Sequence, residues 1–368
     1  MAASCQHCGD QHFGLPICPR TGEAMTVAGR CGTRVDRYLV ERLLGTGAFG
    51  AVYQARHART DALVALKVLK RELMTDTGTL ERFMREARAA AAVGDEHVVR
   101  ILDAEITADG AAFIAMELLD GYDLKELARR ERPLHPARAV RLLAQALDGL
   151  AAAHEKGVVH RDMKPANIFV VRSQDAHGAE REQAKLLDFG ISKMDGPNAN
   201  PLTLMGATLG TPNYMAWEQF FDARQVDART DIYAISVILY ELLGGKKPYE
   251  GDGLADLMQK VRLGGAQPLR AIAPSLPVPL CAVIDKGLSA KRERRWATAR
   301  EYSAALRNAV VLAGDPPPLA PREREGVILE VRFEAPEAEL SSQTLVTRPT
   351  ALAQEPETLD APPDKLKE

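Results

Sequence analysis

No stretch of the 368-residue sequence approaches the roughly 18 uninterrupted apolar residues that a membrane helix needs. The most apolar run, Asp231 to Leu243, is too short and carries polar punctuation, so no membrane segment is expected. The first residues, MAASCQHCGDQH, lack the basic region and apolar core of a secretory signal, and the expected location is the cytoplasm. Cysteine is scarce. Five residues cannot build a disulfide framework, and Cys5, Cys8, Cys18 and Cys31 crowd near the start as a local site would. Charge of one sign is also missing: 47 basic residues against 50 acidic ones leave no global attraction for nucleic acid or an anionic membrane. There is no internal repeat. What remains is 46% hydrophobic and 26% charged, which argues against fibrous architecture or general disorder.

At roughly 150 residues per domain the length suggests about two domains, and composition divides the chain in three. Residues 1–33 form a leader rich in Cys, His and Gly, with too few large apolar residues to fold unaided. Residues 34–312 alternate strand-like and helix-like patterns. Residues 313–368, with DPPPLAPRERE from Asp315, are expected to be mostly disordered; GVILEVRFEA, Gly326 to Ala335, alternates like one strand without a sheet of its own. Within the central region YLVERLL, AVYQAR, ALVALKVL, VVRILDAEI and AAFIAMELL read as strands, interrupted by the helical LERFMREARAAAAV. After Asp123 the pattern turns helical. ARAVRLLAQALDGLAAAHEKG stops at Gly157, and DIYAISVILYELLGG is apolar nearly all round, as a helix buried within a lobe would be. The expected class is α+β, a sheet lobe over about 38–119 followed by a helical lobe over about 120–312.

Gly45-Thr46-Gly47-Ala48-Phe49-Gly50 lies between two strand patterns. In dinucleotide-binding folds the third glycine of such a motif opens a helix; here Val52 and Tyr53 continue a strand. That favours a hairpin lid whose backbone N–H groups approach phosphate oxygens, with a plain hairpin turn as the other reading. Lys67, inside the apolar strand VALK, either snorkels to the surface or needs an anionic partner. Phe83, Glu86, Ala87 and Ala90 share one helix face, which offers Glu86 as that partner; two unrelated surface charges are the alternative. Downstream come His160-Arg161-Asp162-Met163-Lys164-Pro165-Ala166-Asn167 and then Asp188-Phe189-Gly190. A carboxylate to orient and deprotonate a hydroxyl, a lysine to offset phosphate charge, and an Asn and an Asp as hard oxygen ligands for Mg²⁺ together suffice for phosphoryl transfer.

With these motifs in this order, the chain over about residues 38 to 305 resembles the protein kinase superfamily, and in style the bacterial eukaryotic-type Ser/Thr kinases. Gly210-Thr211-Pro212 through Glu218, Asp231 and Arg295 add to the resemblance: they look like the substrate-anchoring loop, the aspartate bracing the catalytic loop, and the arginine pairing with Glu218. It implies a two-lobed fold and an ATP- and Mg²⁺-dependent (or Mn²⁺-dependent) kinase acting on Ser/Thr of protein substrates. By the same resemblance Asp162 is the base, Lys164 contacts the γ-phosphate, Asn167 and Asp188 hold the metal, and Lys67, set by Glu86, grips the α and β phosphates. Leu44, Gly45, Gly47, Gly50, Val52, Ala65, Met116, Glu117, Leu119, Asp123 and Phe169 complete the nucleotide site. Among them Met116 is the gatekeeper, the backbone of Glu117 and Leu119 meets adenine, and Asp123 faces the ribose. Self-phosphorylation through a transient dimer is implied too, at Thr203 and Thr208, because Arg161 precedes Asp162.

Two departures stand out. Trp217 replaces the usual proline before Glu218, and the polar Ser173 to Ala184 lengthens the hairpin between Asn167 and Asp188, where a surface loop is expected. Cys5-x-x-Cys8 with Cys18 resembles the zinc-ribbon leaders of some bacterial kinases, but Cys18-Pro19-Arg20-Thr21-Gly22 lacks a fourth cysteine. Zinc held with His12 or Cys31, a redox-sensitive dithiol, and no function all remain open for it. A nucleotide-binding pseudokinase would generally lack the base, the metal aspartate or the lysine, and all three residues are present. A small-molecule phosphotransferase would be less expected to keep Glu218 and Arg295.

Overall fold

The computed structural model describes residues 20, 32–47, 49–108, 110–174, 180–189, 212–221 and 226–311. The first strands are β1 (Arg34–Val35), β2 (Tyr38–Thr46), β3 (Gly50–His57), β4 (Leu63–Leu69), β5 (Ile101–Ile106) and β6 (Ala112–Glu117). They form one antiparallel sheet in the order β1-β2-β3-β4-β6-β5. Twist curls this sheet until its ends approach: Tyr38 Oη donates to Asp103 Oδ2 at 3.2 Å, and Arg37 pairs with Asp103 and Glu105. Alternation gives β4 two working faces. Val64, Leu66 and Val68 pack with Tyr53 and Phe113 inside the curl, while Ala65 and Leu69 join Val52, Phe83 and Ile114 on the other side.

Helix α1 (Thr77–Val93) lies against that second face. Asp76 caps it by accepting from the Gly78 and Thr79 N–H groups, and Gly94, at φ 62°, ends it in the left-handed conformation that glycine adopts without strain. Its buried face is Thr79, Phe83, Glu86, Ala87, Ala90 and Val93. Glycine is required for another reason at Gly50, where a Cβ would fall 2.3 Å from the Val68 carbonyl oxygen.

The rest is largely helical: α2 (Leu124–Arg130), α3 (Pro136–Glu155), α4 (Arg229–Gly244), α5 (Leu254–Leu263), α6 (Leu269–Ile272), α7 (Val278–Gly287) and α8 (Ala299–Val310). Helix α4 buries residues on every side, Ile232, Ile235, Val237, Ile238 and Leu239 among them, and α3 packs on α4 and α8. A second sheet, β7 (Gly121–Asp123), β8 (Ile168–Gln174) and β9 (Glu180–Leu186), lies along α3.

This sheet corrects one expectation. Of the segment Ser173 to Ala184, the described residues are paired strand and not surface loop: Ser173 faces Arg181 and Gln174 faces Glu180 in the β8–β9 register. Glu182 and Ala184 point inward, because extension of the hairpin carries its alternate side chains onto α3. Among the described residues, no helix is long and apolar enough to cross a membrane.

Candidate active site

Lys67 shares the α1-facing side of β4 with Ala65 and Leu69 and is 8% exposed. Its Nζ donates to Glu86 Oε1 at 2.9 Å and to Asp188 Oδ1 at 2.8 Å. Burial alone would lower the Lys67 ammonium, but the carboxylates of Asp188 and Glu86 outweigh it and hold the group above its usual value. Burial pushes the Glu86 carboxyl up; Lys67 pulls it back and Asp188 adds to the rise. One lysine is thus shared by two carboxylates that would otherwise repel. Asp188 adopts φ 37° and Arg161 φ 66°, left-handed values uncommon outside glycine, so the backbone is bent sharply at both edges of the site.

Residues 160–167 are held from below by α4. Asp231, fully buried, accepts from the His160 N–H at 2.9 Å and the Arg161 N–H at 2.8 Å, and His154 Nε2 lies 2.8 Å from its Oδ2. Burial opposes the Asp231 charge, yet the His154 hydrogen bond and the backbone donors keep its carboxyl below the usual range. His160 is buried against the Phe189 ring at 4.8 Å, with Nε2 2.8 Å from the Leu187 carbonyl. The Leu187 N–H in turn donates to the Asn167 carbonyl at 2.9 Å, which ties the Asp188 segment to the loop. Asn167 Nδ2 donates to the Asp162 carbonyl at 2.7 Å and to its Oδ2 at 3.2 Å, and Lys164 Nζ stands 3.4 Å from that oxygen. Asp162, Lys164, Tyr214, Met215 and Gln219 line a hollow there.

The amide of Asn167 is spent on Asp162, so among the described residues Asn167 Oδ1 and Asp188 Oδ2 are hard oxygens that could hold a divalent cation. Among the described residues, no group of three or more His, Cys, Asp or Glu side chains stands ready for a metal, and this donor set suits a cation shared with a ligand.

Leu44, Val52, Ala65, Met116, Leu119 and Phe169, from both sheets and the segment joining them, meet in one buried apolar cluster. Gly45 pairs with Val52, and the Gly47 N–H donates to the Gly50 carbonyl at 2.7 Å, so the glycines close a β2–β3 turn. The Glu117 N–H is engaged by the Arg100 carbonyl at 3.0 Å. Asp123 is the N-cap of α2, accepting from the Glu126 N–H at 2.7 Å, and burial raises its carboxyl.

Below the loop Arg295 makes a two-pronged pair with Glu218, at 2.6 and 3.1 Å, which Thr230 Oγ1 joins at 3.0 Å. Trp217, in place of proline, lies on Phe221 with centroids 3.8 Å apart, under the Arg262 guanidinium. Sequence reasoning missed several supports. Gln219 bridges the Ala216 N–H and the Arg161 carbonyl, His154 holds Asp231, and Lys185 pairs with Glu117 at 2.8 Å. No local pattern announces them, except that Gln219 adjoins the Glu218 motif. Gly190, Thr203, Thr208, Thr211, Cys5, Cys8 and Cys18 lie outside the described residues.

A family model described as "Protein kinase domain" matches residues 38–303. The chain is 43% identical over 229 residues to the serine/threonine-protein kinase pkn3 of Myxococcus xanthus, covering 61% of this chain and 40% of that protein. It is 38% identical over 282 residues to the serine/threonine-protein kinase PknH of Mycobacterium tuberculosis, covering 76% and 43%. The chain therefore spans less than half the length of these relatives. The crystal structure of the Mycobacterium tuberculosis PknI kinase domain aligns with TM-score 0.58 and 26% identity, over 78% of this chain and 100% of that one.

Proposed function

The chain belongs to the protein kinase domain family, and on that premise we propose that it transfers the γ-phosphoryl group of ATP to Ser and Thr hydroxyls of protein substrates. The observation that carries this reading is the buried Lys67 ammonium, fixed between Glu86 and Asp188 beside the Asp162–Asn167–Lys164 group. A rigid cation, two hard oxygens and a hydrogen-bonded carboxylate are what phosphoryl transfer asks of a protein. Nucleophile and base are positioned, and charge on the phosphoryl oxygens is offset.

In this reading Leu44, Val52, Ala65, Met116, Leu119 and Phe169 enclose the adenine and exclude water, the backbone of Glu117 and Leu119 meets its edge, and Asp123 accepts from the ribose. The glycines of the β2–β3 turn cover the phosphates, and Lys67 holds the α and β groups. Asn167 and Asp188 would hold Mg²⁺ or Mn²⁺, which would supply positive charge to offset that of the phosphates. Asp162, kept in place by the Asn167 amide, takes the proton of the incoming hydroxyl, and Lys164 stands beside it to offset charge. The kinase domain spans 34–312, between the leader 1–33 and the tail 313–368. Control by self-phosphorylation at Thr203 and Thr208, and zinc at Cys5, Cys8 and Cys18, rest on the sequence alone.

Incubation of the full chain with Mg²⁺ and labelled ATP tests this. Label is expected on Ser and Thr of the chain and of an added protein, and Asp162→Asn is expected to lower the rate at least about a hundredfold. Equal rates for the two proteins would overturn the proposal. Mapping the label reads the Thr203 and Thr208 proposal, and the zinc content of the same preparation reads the leader.

A further inference from the structure

A buried charge with all its hydrogen-bonding positions filled lies outside the machinery just described. Glu182, in the hairpin β8–β9, has a side chain of 0% exposure. It accepts from Tyr122 Oη at 2.9 Å, from Arg138 Nε and Nη2 at 3.0 and 2.6 Å, and from Arg141 Nη2 at 3.1 Å, which fills the four acceptor positions of a carboxylate. Arg138 is itself buried, donates to Tyr122 Oη at 3.2 Å and pairs with Glu131. A buried ionic cluster of this kind is weak evidence for stability, since apolar side chains of similar volume hold a core as well. What it supplies is fixed geometry.

The geometry it fixes is that of β7. This strand is three residues long, and Gly121 presses on β8 so closely that a Cβ would meet the Val170 carbonyl at 2.0 Å. Tyr122 and Asp123 are neighbours on the strand, so their side chains leave it on opposite faces. Tyr122 goes to Glu182 and Arg138; Asp123 sits at the register of Phe169, which belongs to the apolar cluster of the nucleotide cleft. Locking one side chain sets the rotation of the strand and hence the aim of the other.

We propose that Tyr122, Glu182 and Arg138 are positioning residues for the nucleotide, which hold β7 so that Asp123 meets the ribose hydroxyls. This deepens the kinase reading and rests on it. Affinity contributed through the ribose then depends on a polar hairpin that never touches the nucleotide.

The test is calorimetric binding of Mg²⁺ with ADP, 2′-deoxy-ADP or 3′-deoxy-ADP to the full chain, which involves no transfer step. Tyr122→Phe removes one hydroxyl and leaves the Glu182–Arg138 pair intact. The variant is expected to weaken ADP binding about threefold to tenfold, the worth of one hydrogen bond. It is expected to weaken the deoxy analogue that the wild type discriminates against less than about twofold, so that the discrimination collapses. A purely structural role would weaken all three nucleotides alike. Full discrimination in Tyr122→Phe overturns the inference, as does its absence in the wild type. A cycle gives the second reading: in an Asp123→Ala background, adding Tyr122→Phe should cost no further affinity, and an additive loss overturns the inference. Label transfer by the wild type reads the kinase proposal separately, so a transferring enzyme whose Tyr122→Phe variant still discriminates refutes this inference alone.

Discussion

Lys67→Met and Asp188→Asn are each expected to reduce phosphoryl transfer about a thousandfold or more while leaving the chain folded. The two substitutions break the same group from opposite sides. Methionine keeps most of the length of Lys67 but removes the cation between Glu86 and Asp188. The carboxylates left facing each other have an escape: burial already pushes the Glu86 carboxyl up, and without Lys67 a proton on Glu86 relieves the repulsion. The fold is expected to survive and the transfer to fail. Asparagine at 188 keeps an oxygen and lets Lys67 remain on Glu86, but it lacks the negative charge that a divalent cation needs. Initial rates with labelled ATP, compared with circular dichroism and the denaturation midpoint of each variant, check both halves. Undiminished transfer by either variant would remove these residues from the mechanism.

Arg295→Met is expected to have the largest effect on stability, about 3–5 kcal/mol, the usual cost of leaving one member of a buried ion pair without the other. The Arg295 side chain has 0% exposure and Glu218 9%, and Arg295 also donates to the carbonyls of Ser289, Ala290 and Arg229. Among the described residues, Thr230 Oγ1 would then be the side-chain hydrogen-bond donor left to Glu218. Glu218 and Gln219 lie in one short turn, and Gln219 reaches the Arg161 carbonyl beside Asp162, so the damage should extend to transfer. The pair Glu218→Gln with Arg295→Met removes both charges and should regain part of the lost stability. Urea denaturation measures each. A single variant as stable as the wild type, or a double variant less stable than the single, would contradict the ion-pair account.

The positions that local period controls were legible in the sequence. The apolar strand around VALK left Lys67 to snorkel to the surface or to find an anion, and the structure has the second; the 3.6-residue period put Phe83, Glu86, Ala87 and Ala90 on one face, as they are. The all-round apolar character of Asp231 to Leu243 likewise matches a helix buried on every side. Period failed in the polar stretch from Ser173 to Ala184. Polar residues on the outer face of a hairpin look like loop until a partner strand is known, and the inward Glu182 is acceptable there only because Arg138 and Tyr122 wait on other elements.

By itself, then, the sequence determined which local element most of the candidate residues belong to, because side-chain size, charge and period act within a few neighbours. The tertiary structure decided who meets whom. Asp188 reaches Lys67 across a separation of 121 residues, Asp231 reaches the His160 N–H across 71, and Arg295 reaches Glu218 across 77. These distances close only when two sheets and α4 pack around one cleft. The choice follows from which surfaces can be buried together with every polar group satisfied, and such a choice belongs to the whole chain at once and to no window of it.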